Sequence, residues 1–382
     1  MLSRAERSLV SDWWWTIDRL LLAALGALMI SGLVFLMAGG PPVAERLGLS
    51  TFHFVNKQVV YLVPTVAVLV AVSFLSLRYV RRLALLVYTV GITLCILALE
   101  FGPEIKGAHR WIMFGGFGVQ PSEFVKPAFV VLTAWAFSEG ARRNDVPGRL
   151  LALLLLPATI IPLILQPDFG QTVLITLVWC GMFFVAGLHW FWVVGLGGAS
   201  LIGVAAAYQF MPHVRGRIER FLDKSSGDSF HVDTAMESFA KGGWLGKGPG
   251  EGTVKRILPD AHTDFIFAVT AEEFGIVVCL AVLSLFAFIV LRGLILARRN
   301  ENSFCKLAAM GLLLMFGLQA AINMAVNVNL MPAKGMTLPF ISYGGSSLLS
   351  LALGMGFVIA LTRRRPRAEL MDRVSLAPTT AR

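Results

Sequence analysis

Asp260, His262 and Asp264 stand close together in the run Leu258-Pro259-Asp260-Ala261-His262-Thr263-Asp264-Phe265-Ile266-Phe267, at the mouth of a long apolar segment. Ionisable groups at membrane depth or at the membrane boundary are costly and persist mainly where they do chemistry or line a path. Asp264, between a hydroxyl residue and an aromatic, is the first candidate for a general base. Other short segments carry the remaining informative side chains. Lys106, His109, Arg110 and Trp111 fall in one, Glu123 and Lys126 in the next, then Asp168, and finally Lys334 with Ser342. Cations converging near a leaflet suit an anionic headgroup such as a pyrophosphate. A single carboxylate nearby suits removal of a proton from a hydroxyl. Those are the two needs of glycosyl transfer from a lipid diphosphate sugar.

Each piece also has a plainer reading. Glu123 and Lys126 are three apart at the start of a span and could neutralise each other on one helix face, and Pro121-Ser122 before them is a helix start signal. Asp168 follows Pro167 and reads as an N-cap before it reads as a catalyst. Lys334 could snorkel to the headgroups. Glu272 and Glu273 lie about two turns inside an apolar segment and call for a polar cavity or a basic partner, with Lys126 or Lys334 available. Gln319, Asn323, Asn327 and Asn329 recur near helical spacing and read as interhelical glue, with a substrate groove as the sharper alternative. Trp111 and Trp244 read as loop anchors ahead of sugar-stacking groups. From Gly242 to Gly252 six of eleven residues are glycine. That pattern reads as a hinge or re-entrant loop, with backbone contact to phosphate as the alternative. Lys247 is followed by Gly248 rather than Ser or Thr, so it is not a Walker A site.

The elements that must position these residues are membrane helices. Mean hydropathy is +0.73 and 56% of the 382 residues are apolar, a composition that a polytopic membrane protein requires. Ten spans are expected, at 18–38, 58–77, 83–101, 124–138, 149–166, 169–187, 190–211, 263–291, 304–330 and 342–362. The first is too long for a cleavable leader and lacks a small-residue cleavage site. Positive charge sets the orientation. With the N-terminus inside, nineteen of the 33 Lys and Arg lie on the inner side, six in short outer loops and eight in a long outer loop, 212–262, between the seventh and eighth spans. Both termini are then cytoplasmic, and every candidate above faces outward. The +10 charge reflects topology rather than a nucleic-acid partner. Within the long loop, Val214 to Leu222 alternates basic and apolar residues like a short helix lying on the membrane surface. Trp13, Trp14 and Trp15 read as an interfacial anchor before the first span. The four cysteines have no ligand or CxxC spacing and read as small core residues.

Taken together, the motifs resemble the SEDS family (shape, elongation, division and sporulation proteins). The resemblance is carried by Lys106-Gly107-Ala108-His109-Arg110-Trp111-Ile112 with Gln120-Pro121-Ser122-Glu123-Phe124-Val125-Lys126, by Gly242-Gly243-Trp244-Leu245-Gly246-Lys247-Gly248, by Pro259 to Ala268 with Ala271-Glu272-Glu273-Phe274-Gly275, and by Lys334-Gly335-Met336-Thr337-Leu338-Pro339-Phe340-Ile341-Ser342-Tyr343-Gly344-Gly345-Ser346-Ser347. It covers about 10 to 365, and Asn323-Met324-Ala325 favours the division branch over the elongation branch. Asp260 departs from the Glu common in the family, and Arg256 stands where some members carry an acid.

The resemblance implies an all-α membrane domain, 18–365, with ten helices and a groove on the outer face. A cytoplasmic segment, 1–17, would precede it, and a disordered cytoplasmic tail, 366–382, would follow. The implied activity is polymerisation of lipid II into glycan strands for septal wall synthesis at the inner membrane. Asp264 would be the essential acid. Arg110, Lys126 and Lys334 would hold the diphosphate, with Glu123, Trp111, His262, Glu273 and Ser342 lining the substrate site. The implied partners are a class B penicillin-binding protein, FtsI-like, and other division proteins. A divalent cation, Mg or Mn, could assist, although no ligand cage for one stands in the sequence. The rival readings are a lipid II flippase and a non-catalytic scaffold for the cross-linking enzyme. Polar groups on one face only and the lack of an internal repeat count against the flippase.

Overall fold

A backbone crossing hydrocarbon must satisfy its own N–H and C=O groups, and a helix does so within one segment. The computed structural model is accordingly almost wholly helical. It describes residues 8–364 apart from 106, 116, 144, 333–334 and most of 188–229. A short α1 (Leu9–Thr16) leads into α2 (Arg19–Arg46), α3 (His53–Ser73), α4 (Leu77–Phe101), α5 (Pro121–Arg142), α6 (Gly148–Leu165) and α7 (Phe169–Val185). After the segment around 188–229 come α8 (Phe230–Gly242), α9 (Ile266–Arg298), α10 (Ser303–Asn327) and α11 (Gly345–Thr362). A two-stranded antiparallel hairpin, β1 (Ile112–Phe114) and β2 (Phe117–Val119), stands between α4 and α5, with Ile112 opposite Val119.

Nine of the ten expected spans coincide with α2 to α7 and α9 to α11. The seventh, 190–211, lies outside the described residues except at scattered positions, as does most of the expected surface helix at 214–222. Lys106, Lys334 and the tail 366–382 lie outside them entirely. Seven of the nine helices are long and apolar enough to cross a membrane: α2, α3, α4, α6, α9, α10 and α11. Of the other two, α7 has 17 residues, and α5 carries Glu123, Lys126 and Glu139 along its length.

The chain folds with α11 packed against α3, α5 and α10, so that α10 and α11 are mostly buried while α3 and α4 present wide apolar faces outward. The two ends of the described chain meet on one side of the bundle. Arg363 Nε donates to Thr16 Oγ1 (2.5 Å) and Arg364 N to Thr16 O (3.1 Å). On the same side Arg292 of α9 donates to Asp18, the N-cap of α2, at 2.7 Å. Among the described candidates, Arg110, Glu123, Asp168 and Asp264 lie at or near the opposite ends of these helices.

Two expectations are corrected here. The Trp13–Trp15 run is not uniformly an interfacial anchor. Trp13 is buried, stacks on Phe74 with ring centroids 4.9 Å apart, and donates Nε1 to Ser73 Oγ at 2.8 Å. Trp15 keeps the exposed role, with the Arg19 guanidinium 4.3 Å from its ring centre. The eighth span is not one continuous helix either. Gly275 breaks α9 with φ 81° and ψ 174°, a conformation essentially confined to glycine.

Candidate active site

The turn before α9 is built around Asp260, whose φ of 51° is left-handed. Asp and Asn tolerate that region better than most residues, so the shorter acid at this position suits the backbone. Its carbonyl accepts from Thr263 N (3.0 Å) and Phe265 N (3.3 Å). The carbonyls of His262, Thr263 and Asp264 are held from outside the turn. That of His262 accepts from Tyr343 N (3.0 Å), that of Thr263 from Ser342 Oγ (2.6 Å), and that of Asp264 from Asn323 Nδ2 (3.0 Å) and Asn327 Nδ2 (2.9 Å). The main chain of the motif is thereby fixed, and the Asp264 side chain is left half-buried. Gly335 faces it: a Cβ built there would stand 3.8 Å from Asp264 Oδ2.

His262 packs its ring on Phe54 (4.3 Å between centroids) and Tyr343 (5.6 Å), forming an aromatic wall beside the acid. Burial pushes the Tyr343 phenol up to about 12, so it stays neutral. Ser342 is buried, and its hydroxyl also accepts from Leu338 N (2.8 Å). Both residues therefore shape the site from behind the acid.

A second polar cluster lies under the hairpin. Lys126 is 1% exposed, with Nζ 3.0 Å from Glu123 Oε1 and 3.3 Å from Gln319 Oε1. Glu123 also accepts from Gln171 Nε2 (2.9 Å) and Ser350 Oγ (3.5 Å). Gln319 in turn donates to Thr337 O (3.2 Å), and Thr337 bonds Ser347 (2.8 Å). The Lys126 ammonium is thus engaged within the bundle, as the three-residue spacing allowed, and it reaches the loop facing Asp264 through Gln319. Arg110 reaches across to the α6–α7 turn, donating to Gln166 O (2.9 Å) and Pro167 O (2.5 Å), with Nη1 3.9 Å from Asp168. Asp168 does occupy the N-cap position of α7, and its carboxylate meets Gln120 Nε2 at 3.4 Å. Burial pushes its carboxyl up against the pull of the Arg110 guanidinium, and Glu123 adds to the rise. Trp111 lies over Gly118 of the hairpin, where a Cβ would stand 3.3 Å from its ring, the placement of a loop anchor.

Glu272 and Glu273 are placed differently from expectation. The basic partner of Glu273 is Lys255, not Lys126, Glu272 takes backbone N–H groups instead, and Lys334 lies outside the described residues. Glu273 forms a buried ion pair with Lys255. Glu272, 0% exposed, accepts from Thr253 N (2.7 Å), Val254 N (2.8 Å) and Lys255 N (2.9 Å), capping the short 3-10 turn Val254–Arg256. Glu273 therefore belongs to this latch, nine residues or about two and a half turns beyond Asp264, and not to the surroundings of the acid. The glycine-rich loop serves the same junction. Lys247 N and Gly248 N donate to the carbonyls of Glu272 and Glu273 (both 3.0 Å), and Ile276 N donates to Gly243 O (3.0 Å). The loop thus supplies the bonds that the break at Gly275 leaves open. A Cβ at Gly275 would fall onto Trp244 O, and one at Gly246 onto Glu273 O. The glycines permit that approach, which is the hinge reading rather than a phosphate cradle.

Sequence reasoning missed Lys255, which counted only as one of eight basic residues in the long loop. It stands 18 positions before its partner with no periodic signal to link them. Gln171 and Gln319 were visible as polar residues, but nothing local tied them to Glu123 and Lys126. No three His, Cys, Asp or Glu gather among the described residues to cage a metal.

Comparison with known proteins adds the relationships. The model of the cell cycle protein family of FtsW, RodA and SpoVE matches residues 18–366. A protein of Caulobacter vibrioides named probable peptidoglycan glycosyltransferase FtsW is 43% identical over 367 residues, 96% of this chain and 94% of that one. A protein of the same name from Marinobacter nauticus is 36% identical over 373 residues, covering 93% and 90%. Among solved structures, the rod shape determining protein RodA of Thermus thermophilus is 28% identical, with a TM-score of 0.68 over 91% of this chain and 97% of that one. A chain from a structure described as the structural coordination of polymerization and crosslinking by a peptidoglycan synthase complex gives 29% identity and a TM-score of 0.76, with coverage of 91% and 97%.

Proposed function

The chain belongs to the cell cycle protein family of FtsW, RodA and SpoVE, and on that premise we propose that it is a peptidoglycan glycosyltransferase that polymerises lipid II at the outer face of the bacterial inner membrane. The observation that carries the reading is Asp264. It is a half-buried carboxylate at the outer end of a membrane helix, with its own carbonyl and the two before it bonded from neighbouring segments. Such a residue is held in place for proton transfer.

In the proposed reaction Asp264 accepts the proton of the GlcNAc 4-hydroxyl of one lipid II. The freed oxygen attacks C1 of the MurNAc on the other chain with inversion. The C1–O bond to the diphosphate breaks, and undecaprenyl diphosphate leaves. A positioned base contributes about 10²–10⁴ in rate. Arg110 and Lys334 offset the charge that develops on the leaving diphosphate. Lys126, engaged with Glu123, adds its field from beneath the hairpin rather than by direct contact. His262, Ser342 and Trp111 shape the walls. Were a divalent ion, Mg or Mn, to take part, the Asp264 carboxylate would be the residue to hold it and the ion would help neutralise the leaving diphosphate; among the described residues no three His, Cys, Asp or Glu gather into a cage for it.

The proposal extends to setting. Relatives named FtsW support a role in division, and the structural likeness to a chain of a peptidoglycan synthase complex supports work beside a class B penicillin-binding protein. The charge distribution supports cytoplasmic termini. The test is reconstitution of the full chain in liposomes with lipid II, with and without the class B partner. Glycan strands on a gel are the expected result. Lipid scrambling without strands would identify a flippase, and neither activity would identify a scaffold.

A further inference from the structure

We infer that Asn323 and Asn327 are positioning residues for this reaction, a pair of buried carboxamides that fixes Asp264 against the loop at Gly335. The inference rests on Asp264 being the base. The two asparagines are four apart on α10 and so share a face.

Asn327 is 0% exposed and bonded through both ends of its amide. Its Nδ2 donates to Asp264 O (2.9 Å) and Asn323 O (2.9 Å), and its Oδ1 accepts from Ala268 N (3.1 Å). Ala268 lies in the first turn of α9, and its N–H is shared between Asn327 Oδ1 and Phe265 O (3.1 Å). One amide thus caps α9 and holds the carbonyl of the base. Asn323 Nδ2 donates to the same carbonyl (3.0 Å) and to Met336 O (2.6 Å). Met336 follows Gly335, the residue that faces Asp264 Oδ2. Asn323 therefore ties the main chain of the base to the loop across from it and sets the gap between them.

Polar residues inside spanning helices usually serve as interhelical glue. Two features take these beyond it. Both amides converge on one carbonyl, that of the proposed base, and Asn323 spans to an outer loop rather than to a second spanning helix. Loss of either amide removes one of the two donors that hold the Asp264 carbonyl and lets the carboxylate shift relative to the substrate. A displacement of about 1 Å at a reacting centre can cost about 100-fold in rate.

The experiment measures lipid II polymerisation by the full chain with its class B partner, as initial rate against lipid II concentration and against pH. The variants are Asn323→Leu and Asn327→Leu, which keep the volume and remove the amide, and Asn323→Gln and Asn327→Gln, which keep the donors. Per folded molecule, each Leu variant should lose about 10- to 100-fold in kcat, with KM within about twofold. The limb of the pH profile that reports the base should move, and the Gln variants should recover part of the loss. If a Leu variant fails to fold, the Ser substitution at the same position is read in the same way. Wild-type kcat and pH profile in folded Leu or Ser variants would overturn the positioning role. Asp264→Asn is measured alongside. If it polymerises normally, the base assignment has failed; if it is inert while the asparagine variants match wild type, positioning alone has failed.

Discussion

The Glu123–Lys126 pair shows what one ionised residue demands of its surroundings. Taking two charges into an apolar bundle is costly, and the attraction offsets that cost only when the remaining hydrogen-bonding capacity is also met. Here Gln171, Ser350 and Gln319 supply those bonds. Removing one partner leaves the other buried and unpaired. Lys126→Met should therefore lower unfolding stability by about 3–5 kcal/mol, and adding Glu123→Gln to it should recover much of the loss. Thermal melting of the single and double variants in detergent reads this directly; a single variant that melts like the wild type would mean that the pair is not a coupled buried unit. The spacing of three made the pair legible in the sequence. Its burial was not, because that depends on α10 and α11 bringing Gln319 and Ser350 alongside, contacts about 190 and 230 positions away that no local pattern records.

At the scale of the element, the hydropathy pattern located the helices and missed the break within α9. Apart from Glu272 and Glu273 the residues on both sides of Gly275 are apolar, so an average over a window runs straight through it. What marks the break is a combination spread over the 34 positions from 242 to 275: six glycines at 242–252, Lys255, two adjacent acids and Gly275. These assemble into a latch in which loop backbone pairs with the open turn of the helix and Glu272 caps the 253–255 backbone. Its consequence is that the outer loop and the helix that follows Asp264 are held as one body. Gly275→Ala should destabilise that junction by about 1–3 kcal/mol from backbone strain alone, with the clash against Trp244 O adding to it. Limited proteolysis should then cut the 243–252 loop faster in the variant than in the wild type. An unchanged cleavage rate would show that the loop is not held by this pairing.

For the whole molecule, two patterns agree: the charge bias predicts that both ends share one side of the membrane, and the fold brings the ends of the described chain together on one side, with Asp264 and its surroundings on the other. The sequence carried that sidedness because lipid forces it: spans are long and apolar, and Lys and Arg collect where translocation leaves them. It carried the site less fully. Asp264, Arg110, Glu123 and Lys126 stood out as ionisable groups in an apolar chain, whereas the roles of Asn323, Asn327 and Gly335 come from three separate segments meeting at one carbonyl and one carboxylate. That convergence fixes the main chain at Asp264, the residue proposed above as the base. The most direct test is lipid II polymerisation by Asp264→Asn in liposomes with the class B partner, alongside wild type and with equal insertion and melting temperature confirmed. Strand synthesis should fall by about 10²-fold or more with the fold intact; polymerisation at the wild-type rate would contradict the assignment of Asp264 as the base.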